Sequence, residues 1–181
     1  MYNQYNAQGK KEGLWVKNFK NGKVKEEKNY VNGIREGEYK CYYSNGQIET
    51  RKFYKNGNLH GTYETFLLNG ARDVSYNLFD GEMVGRYESF YPNGQVKKLK
   101  VYVNAHTTTT DIKFYPDGKV KMDKNYKDGK LEGAYKEYYP SGEIYIDGYY
   151  VAGELDGPYK EYSEDGKITV EHVYKNGKII E

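Results

Sequence analysis

Residues 135–153 read Tyr135-Lys136-Glu137-Tyr138-Tyr139-Pro140-Ser141-Gly142-Glu143-Ile144-Tyr145-Ile146-Asp147-Gly148-Tyr149-Tyr150-Val151-Ala152-Gly153. Glycines punctuate two strand-length runs of Tyr, Ile and Val, the residue types that suit a half-buried pleated surface. No 3.6-residue apolar period develops before the next turn signal arrives, so a helix has no room. The stretch reads as a strand, a tight turn, a returning strand and a second tight turn.

The pattern recurs every 24 residues. One glycine phase runs Gly13, Gly37, Gly61, Gly85, Gly133, Gly157; a second runs from Gly22 to Gly166; a third runs from Gly9 to Gly177. Together they hold twenty of the 21 glycines, leaving Gly148. Such a period is the signature of a repeat array. Repeats start near 13, 37, 61, 85, 109, 133 and 157, giving seven full copies and an N-terminal half repeat, 1–12, in one domain spanning 1–181.

The second and third phases are mostly Asn-Gly or Asp-Gly, the pair favoured by two-residue type I′ hairpin turns. A two-residue turn predicts the register. It sets Tyr43 against Ile48, Tyr91 against Val96, Tyr115 against Val120 and Tyr139 against Ile144 at the second phase. At the third it sets Tyr54 against Leu59, Leu78 against Met83, Tyr126 against Leu131, Tyr150 against Leu155 and Tyr174 against Ile179. The fold class expected is all-β, an elongated single antiparallel sheet of stacked hairpins. At about 4.8 Å per strand it would extend roughly 70 Å. Trp15, Tyr39, Tyr63, Tyr87, Tyr135 and Tyr159 would line its apolar face.

The Gly-x-Tyr-x-x-Tyr-Tyr-x-Asn-Gly pattern, followed by a strand ending in Tyr and then Asn-Gly-x-Leu-x-Gly, resembles the bacterial variant of the MORN repeat. Arrays of this type are similar to the YwqK-like antitoxin or immunity family. That resemblance implies a protein that binds and neutralises a partner toxin.

Composition excludes several classes. Tyr supplies 23 residues, and only about 24% of the chain is apolar without it, too little for a thick core. Mean hydropathy is −1.01, and no run is apolar enough for a membrane helix or secretory leader. If Met1 is the natural start, the cytoplasm is the expected compartment. Net charge is +2, from 28 basic and 26 acidic side chains in short alternation. Neither nucleic acid nor a membrane is therefore an expected partner. Cys41 is the single cysteine, and no metal, nucleotide or hydrolase motif occurs, so neither a cofactor nor catalysis is expected. Cys41 reads as a small packed hydrophobe and His60 as a surface histidine.

A binding surface is the remaining reading. Tyr42, Phe66, Phe90, Phe114, Tyr138 and Tyr162 recur once per repeat on the face opposite the apolar one, among Lys40, Glu64, Glu88, Lys136 and Lys160. Aromatics in a polar surround are the usual anchors of protein interfaces. Two irregular places join them as candidates. In the third repeat Leu68 and Phe79 should face outward, and Arg72 should lie opposite Leu67 on the apolar face. In the fifth, Asp111 replaces the aromatic and Thr109 the glycine, drawing attention to His106 and Thr108. The alternative is a structural or cell-surface spacer that self-associates through its edge strands.

Overall fold

The computed structural model describes residues 1–104 and 107–181. Within them, backbone torsions separate two turns that the sequence writes alike. At the third-phase sites of Gly33, Gly57, Gly81, Gly129, Gly153 and Gly177 both central residues are left-handed, with Asn56 and Gly57 at φ 50° and 85° and Asp128 and Gly129 at 50° and 77°, whereas Gly9 closes a three-residue loop in which Asn6 N–H donates to the Lys10 carbonyl at 2.8 Å. The former are the two-residue turns expected. The flanking strands pair Tyr54 with Leu59, Tyr126 with Leu131, Tyr150 with Leu155 and Tyr174 with Ile179, as predicted. Ala152 takes the same conformation at φ 51°, a position that costs a residue with Cβ about 1 kcal/mol or more.

Second-phase turns differ from the expectation. Gly46 is left-handed at φ 98°, but Asn45 keeps a negative φ. The Gln47 N–H donates to the Asn45 side chain at 3.0 Å, an Asx turn that holds the asparagine in place. Gly46 N–H donates to the Tyr43 carbonyl at 2.9 Å, and Tyr43 N–H to the Gln47 carbonyl at 2.8 Å, which closes a three-residue loop. The pairs are consequently Tyr42 with Ile48, Phe90 with Val96, Phe114 with Val120 and Tyr138 with Ile144, one residue away from the sequence register. A bulge beside the turn absorbs the offset. Cys41 faces Thr50, so the strand bodies keep the alternation that the two-residue turn implies.

First-phase glycines mark a second bulge. Lys124 pairs with Tyr135 and Tyr126 with Leu131, so three residues, Glu132, Gly133 and Ala134, stand against Asn125 alone. Gly133 sits there at φ +83° and pairs on its other side with Tyr150. The bulge carries the preceding carboxylate toward the next repeat, where Glu132 accepts the Ala152 N–H at 2.8 Å. Glu12 does the same for Asn32 at 2.9 Å and Glu36 for Asn56 at 2.7 Å.

The strands are β1 (Gln4–Tyr5), β2 (Lys11–Asn18), β3 (Val24–Val31), β4 (Ile34–Tyr42), β5 (Ile48–Lys55), β6 (Asn58–Phe66), β7 (Arg72–Phe79), β8 (Glu82–Phe90), β9 (Val96–Asn104), β10 (Thr107–Phe114), β11 (Val120–Lys127), β12 (Lys130–Tyr138), β13 (Ile144–Val151), β14 (Glu154–Tyr162), β15 (Ile168–Lys175) and β16 (Lys178–Ile179). They follow sequence order in an open antiparallel sheet, and no helix occurs among the described residues. Two compact units divide the chain: residues 1–84 with 92–94, and residues 85–91 with 95–181.

In the first unit, Trp15 meets Tyr30 at 6.2 Å between ring centroids, Tyr39 meets Tyr54 at 6.4 Å, and Tyr63 stacks on Tyr76 at 4.7 Å. The Lys52 ammonium lies 4.7 Å from the Tyr39 ring and 5.6 Å from that of Tyr63. In the second unit the corresponding pairs are Tyr135 with Tyr150 at 5.6 Å and Tyr159 with Tyr174 at 5.8 Å. Among the described residues only Leu78 and Met122 count as buried hydrophobics, at 8% and 6% exposure. Ring edges and cation contacts therefore stabilise each unit in place of a two-layer core.

Thr109 changes its strand locally. β9 and β10 pair Tyr102 with Thr108 and Val101 with Thr110, in place of the three-against-one bulge of Gly133. A β-branched residue does not take a positive φ, so the extra residue is accommodated with a different register.

Candidate functional site

The recurring aromatic positions owe their setting to a hydroxyl one repeat earlier. In the second unit the Tyr91 hydroxyl donates to the Phe114 carbonyl at 2.8 Å, Tyr115 to Tyr138 at 2.7 Å and Tyr139 to Tyr162 at 2.7 Å. In the first, Tyr43 donates to Phe66 at 2.8 Å. A bond to the main chain leaves the acceptor's own side chain unconstrained by the stitch. Tyr42, Phe66, Phe90, Phe114, Tyr138 and Tyr162 are all half-buried. Tyr42 uses its hydroxyl on Glu27 at 2.7 Å, and burial followed by this carboxylate pushes its pKa well above the usual tyrosine range.

The third repeat holds the largest departure. Leu68 and Phe79 are each 59% exposed, and the Phe79 ring lies 5.0 Å from His60. His60 Nδ1 is 3.3 Å from an Asp80 carboxylate oxygen, so this histidine occupies the place where Glu36 and Glu132 cap other turns. Arg72 corrects the sequence reading: it pairs with Phe66, not Leu67, because the adjoining turn has three residues. Its guanidinium meets Glu64 at 3.1 Å. Arg51 reaches the same carboxylate through Nε at 2.9 Å and Nη2 at 2.5 Å. Glu64 is only 3% exposed, and two cations satisfy it.

In the fifth repeat Thr108 pairs with Tyr102, and His106 lies outside the described residues. Asp111, at the aromatic position, is 4% exposed and stands 3.6 Å from the Lys98 ammonium and 3.8 Å from that of Lys100. Cys41 places its thiol 3.5 Å from Glu49. Burial and then Glu49 push its pKa up, away from the thiolate a nucleophile needs. No cluster of three or more His, Cys, Asp or Glu is arranged to hold a metal among the described residues.

One feature of the second unit was not read from the sequence. Ala134 and Pro158 stand where earlier repeats have Glu38, Thr62, Arg86 and Thr110. Their small side chains leave an open groove of about 370 Å³, flanked by Tyr149, Tyr162, Asp147 and Lys160. Tyr149 is 47% exposed. The loss of a polar side chain at two successive lattice positions was the available signal.

The MORN repeat variant family matches residues 11–32, 35–56, 83–104, 112–128, 131–152 and 155–180, leaving the two irregular places, 57–82 and 105–111, unmatched. A search of the curated proteins finds no match. MORN repeats are protein- and membrane-binding modules. Period, turn chemistry, stacked hairpins and family match agree that this chain belongs to the MORN repeat variant family.

Proposed function

We propose that the chain is a non-catalytic scaffold that binds another protein, and that, as its resemblance implies, it acts as an antitoxin or immunity factor neutralising a toxin. The observation that carries the binding reading is the groove of the second unit, where Tyr149 and Tyr162 stand with Asp147 and Lys160 over a floor of small residues. Tyrosines such as the exposed Tyr149 and the half-buried Tyr162 offer large contact area at low entropic cost, and flanking charges fix orientation.

The test is affinity capture from the native host, mass spectrometry of the captured protein, and titration of that protein against Tyr149→Ala/Tyr162→Ala. An affinity loss of about 100-fold is expected for two interface tyrosines, with the far-UV spectrum unchanged. Unaltered affinity removes the groove as the contact. Growth rescue when the captured protein is expressed alongside the chain distinguishes an antitoxin from a neutral binder. Concentration-dependent self-assembly with no captured protein would instead favour the spacer reading.

A further inference from the structure

The charges alternate along the chain, but the fold sorts them. Between residues 96 and 121 lie Lys97, Lys98, Lys100, Lys113, Lys119 and Lys121 against only Asp111 and Asp117, although the chain as a whole nets +2. Strands β9, β10 and β11 bring four of these lysines around one open pocket of about 390 Å³ within the second unit. Lys97, Lys98, Lys113 and Lys121 line it together with Tyr91 and Phe114. Residues 15 apart in sequence, Lys98 and Lys113, are thereby neighbours across the sheet.

The chemistry of this pocket is specific. Lys98 is engaged by Asp111 at 3.6 Å, whereas Lys97, Lys113 and Lys121 form no ion pair among the described residues. Burial lowers the Lys98 pKa, Asp111 opposes that shift, and Lys100 and Lys113 add repulsion. The Lys97 ammonium lies 5.8 Å from the Tyr91 ring, and Lys121 lies 5.5 Å from that of Tyr115. No arginine lines the pocket, so the planar fork that grips phosphate in two bonds is absent there. Flexible ammonium groups beside aromatic walls suit several carboxylates with an apolar side chain between them.

We infer that this pocket docks an acidic segment of a partner protein, with two or more Asp or Glu side chains among the lysines and an aromatic or aliphatic side chain against Tyr91 and Phe114. The inference rests on the protein-binding reading and names the chemistry of the partner. Phe114 belongs both to the recurring aromatic positions and to this pocket, which makes the two surfaces continuous within the second unit.

The experiment uses the full chain and a fluorescein-labelled decapeptide with four glutamates around one phenylalanine, followed by fluorescence anisotropy. Binding is expected at low salt, weakening at least about ten-fold between 50 and 300 mM NaCl as screening shortens the reach of the charges. Lys97→Glu/Lys121→Glu, at exposed positions, should cost at least about ten-fold in affinity with the far-UV spectrum unchanged. Lys20→Glu/Lys55→Glu in the first unit should leave affinity unaltered. Equal binding of a peptide with glutamine in place of glutamate would overturn the inference. So would an unaffected charge-reversed variant, or displacement of the peptide by a short single-stranded RNA or by phosphatidylserine vesicles at lower concentration. A captured partner that binds the charge-reversed variant as tightly as the native chain would also sink it, while leaving protein binding itself in place.

Discussion

Gly133→Ala tests whether the first-phase glycines are there for their backbone alone. Gly133 sits at φ +83°, and a Cβ built on it meets no atom within 4 Å. Packing therefore adds nothing to the cost, and the left-handed conformation is the whole of it, about 1–2 kcal/mol. The variant also restricts the unfolded chain, which returns about 0.4–1 kcal/mol. The net expectation is a loss of about 0.5–1 kcal/mol, or a Tm lower by about 1–4 °C for a chain of this length. Two companions separate the causes. Gly133→Asn should lose less, because asparagine tolerates this region. Gly148→Ala probes the opposite cause: its φ is not left-handed, but the new Cβ would stand 3.2 Å from Tyr159 Cδ2, so any loss there measures how far that ring can yield. Urea unfolding followed by circular dichroism gives all three. A Gly133→Ala variant as stable as the native chain, or less stable than Gly133→Asn by nothing measurable, would refute the assignment of these glycines to strained bulges.

Tyr115→Phe deletes the hydroxyl that reaches the Tyr138 carbonyl at 2.7 Å and should cost about 0.5–1 kcal/mol in the same urea assay; no loss would mean that solvent replaces the bond without penalty. The chain already carries the substitution at the equivalent Phe19, so folding should survive it. Alkaline pH should be a second probe. Burial first, and then the Glu137 and Glu161 carboxylates, raise the Tyr135 and Tyr159 pKa values above the ordinary 10.0. The unfolded chain then loses its phenol protons first, so stability is complete below about pH 10 and falls as pH rises beyond it. Phenolate absorbance should rise together with loss of the far-UV signal, and a smooth rise in a chain that stays folded would contradict the burial of these rings.

Much of the fold was legible because a repeat writes the same physical constraint many times. One Asn-Gly is weak evidence for a turn, but Asn32-Gly33, Asn56-Gly57 and Asn176-Gly177 in one 24-residue phase, with apolar partners on both sides, leave little else. What the dipeptide could not distinguish was whether the asparagine shares the left-handed conformation. Asn56 does and Asn45 does not, and the difference rests on the side-chain bond from Asn45 to the Gln47 N–H. Arg72 was misplaced for that reason alone.

The candidate surface was less legible. A column such as Tyr42 to Tyr162 follows from periodicity, and its placement once per repeat needs no coordinates. The groove beside Tyr149 and the pocket of Lys97, Lys98, Lys113 and Lys121 arise from neighbours on different strands. The order of residues along the chain thus determined the period, the strands, the turns and which side chains share a face, since these depend on interactions between residues close in sequence or one repeat apart. The tertiary arrangement alone decided where Glu64 finds two arginines, where Asp111 is buried beside lysines, and where unpaired positive charge gathers. Charge and cavity are sums over neighbours in space, and a 24-residue period brings together residues that linear reading keeps apart.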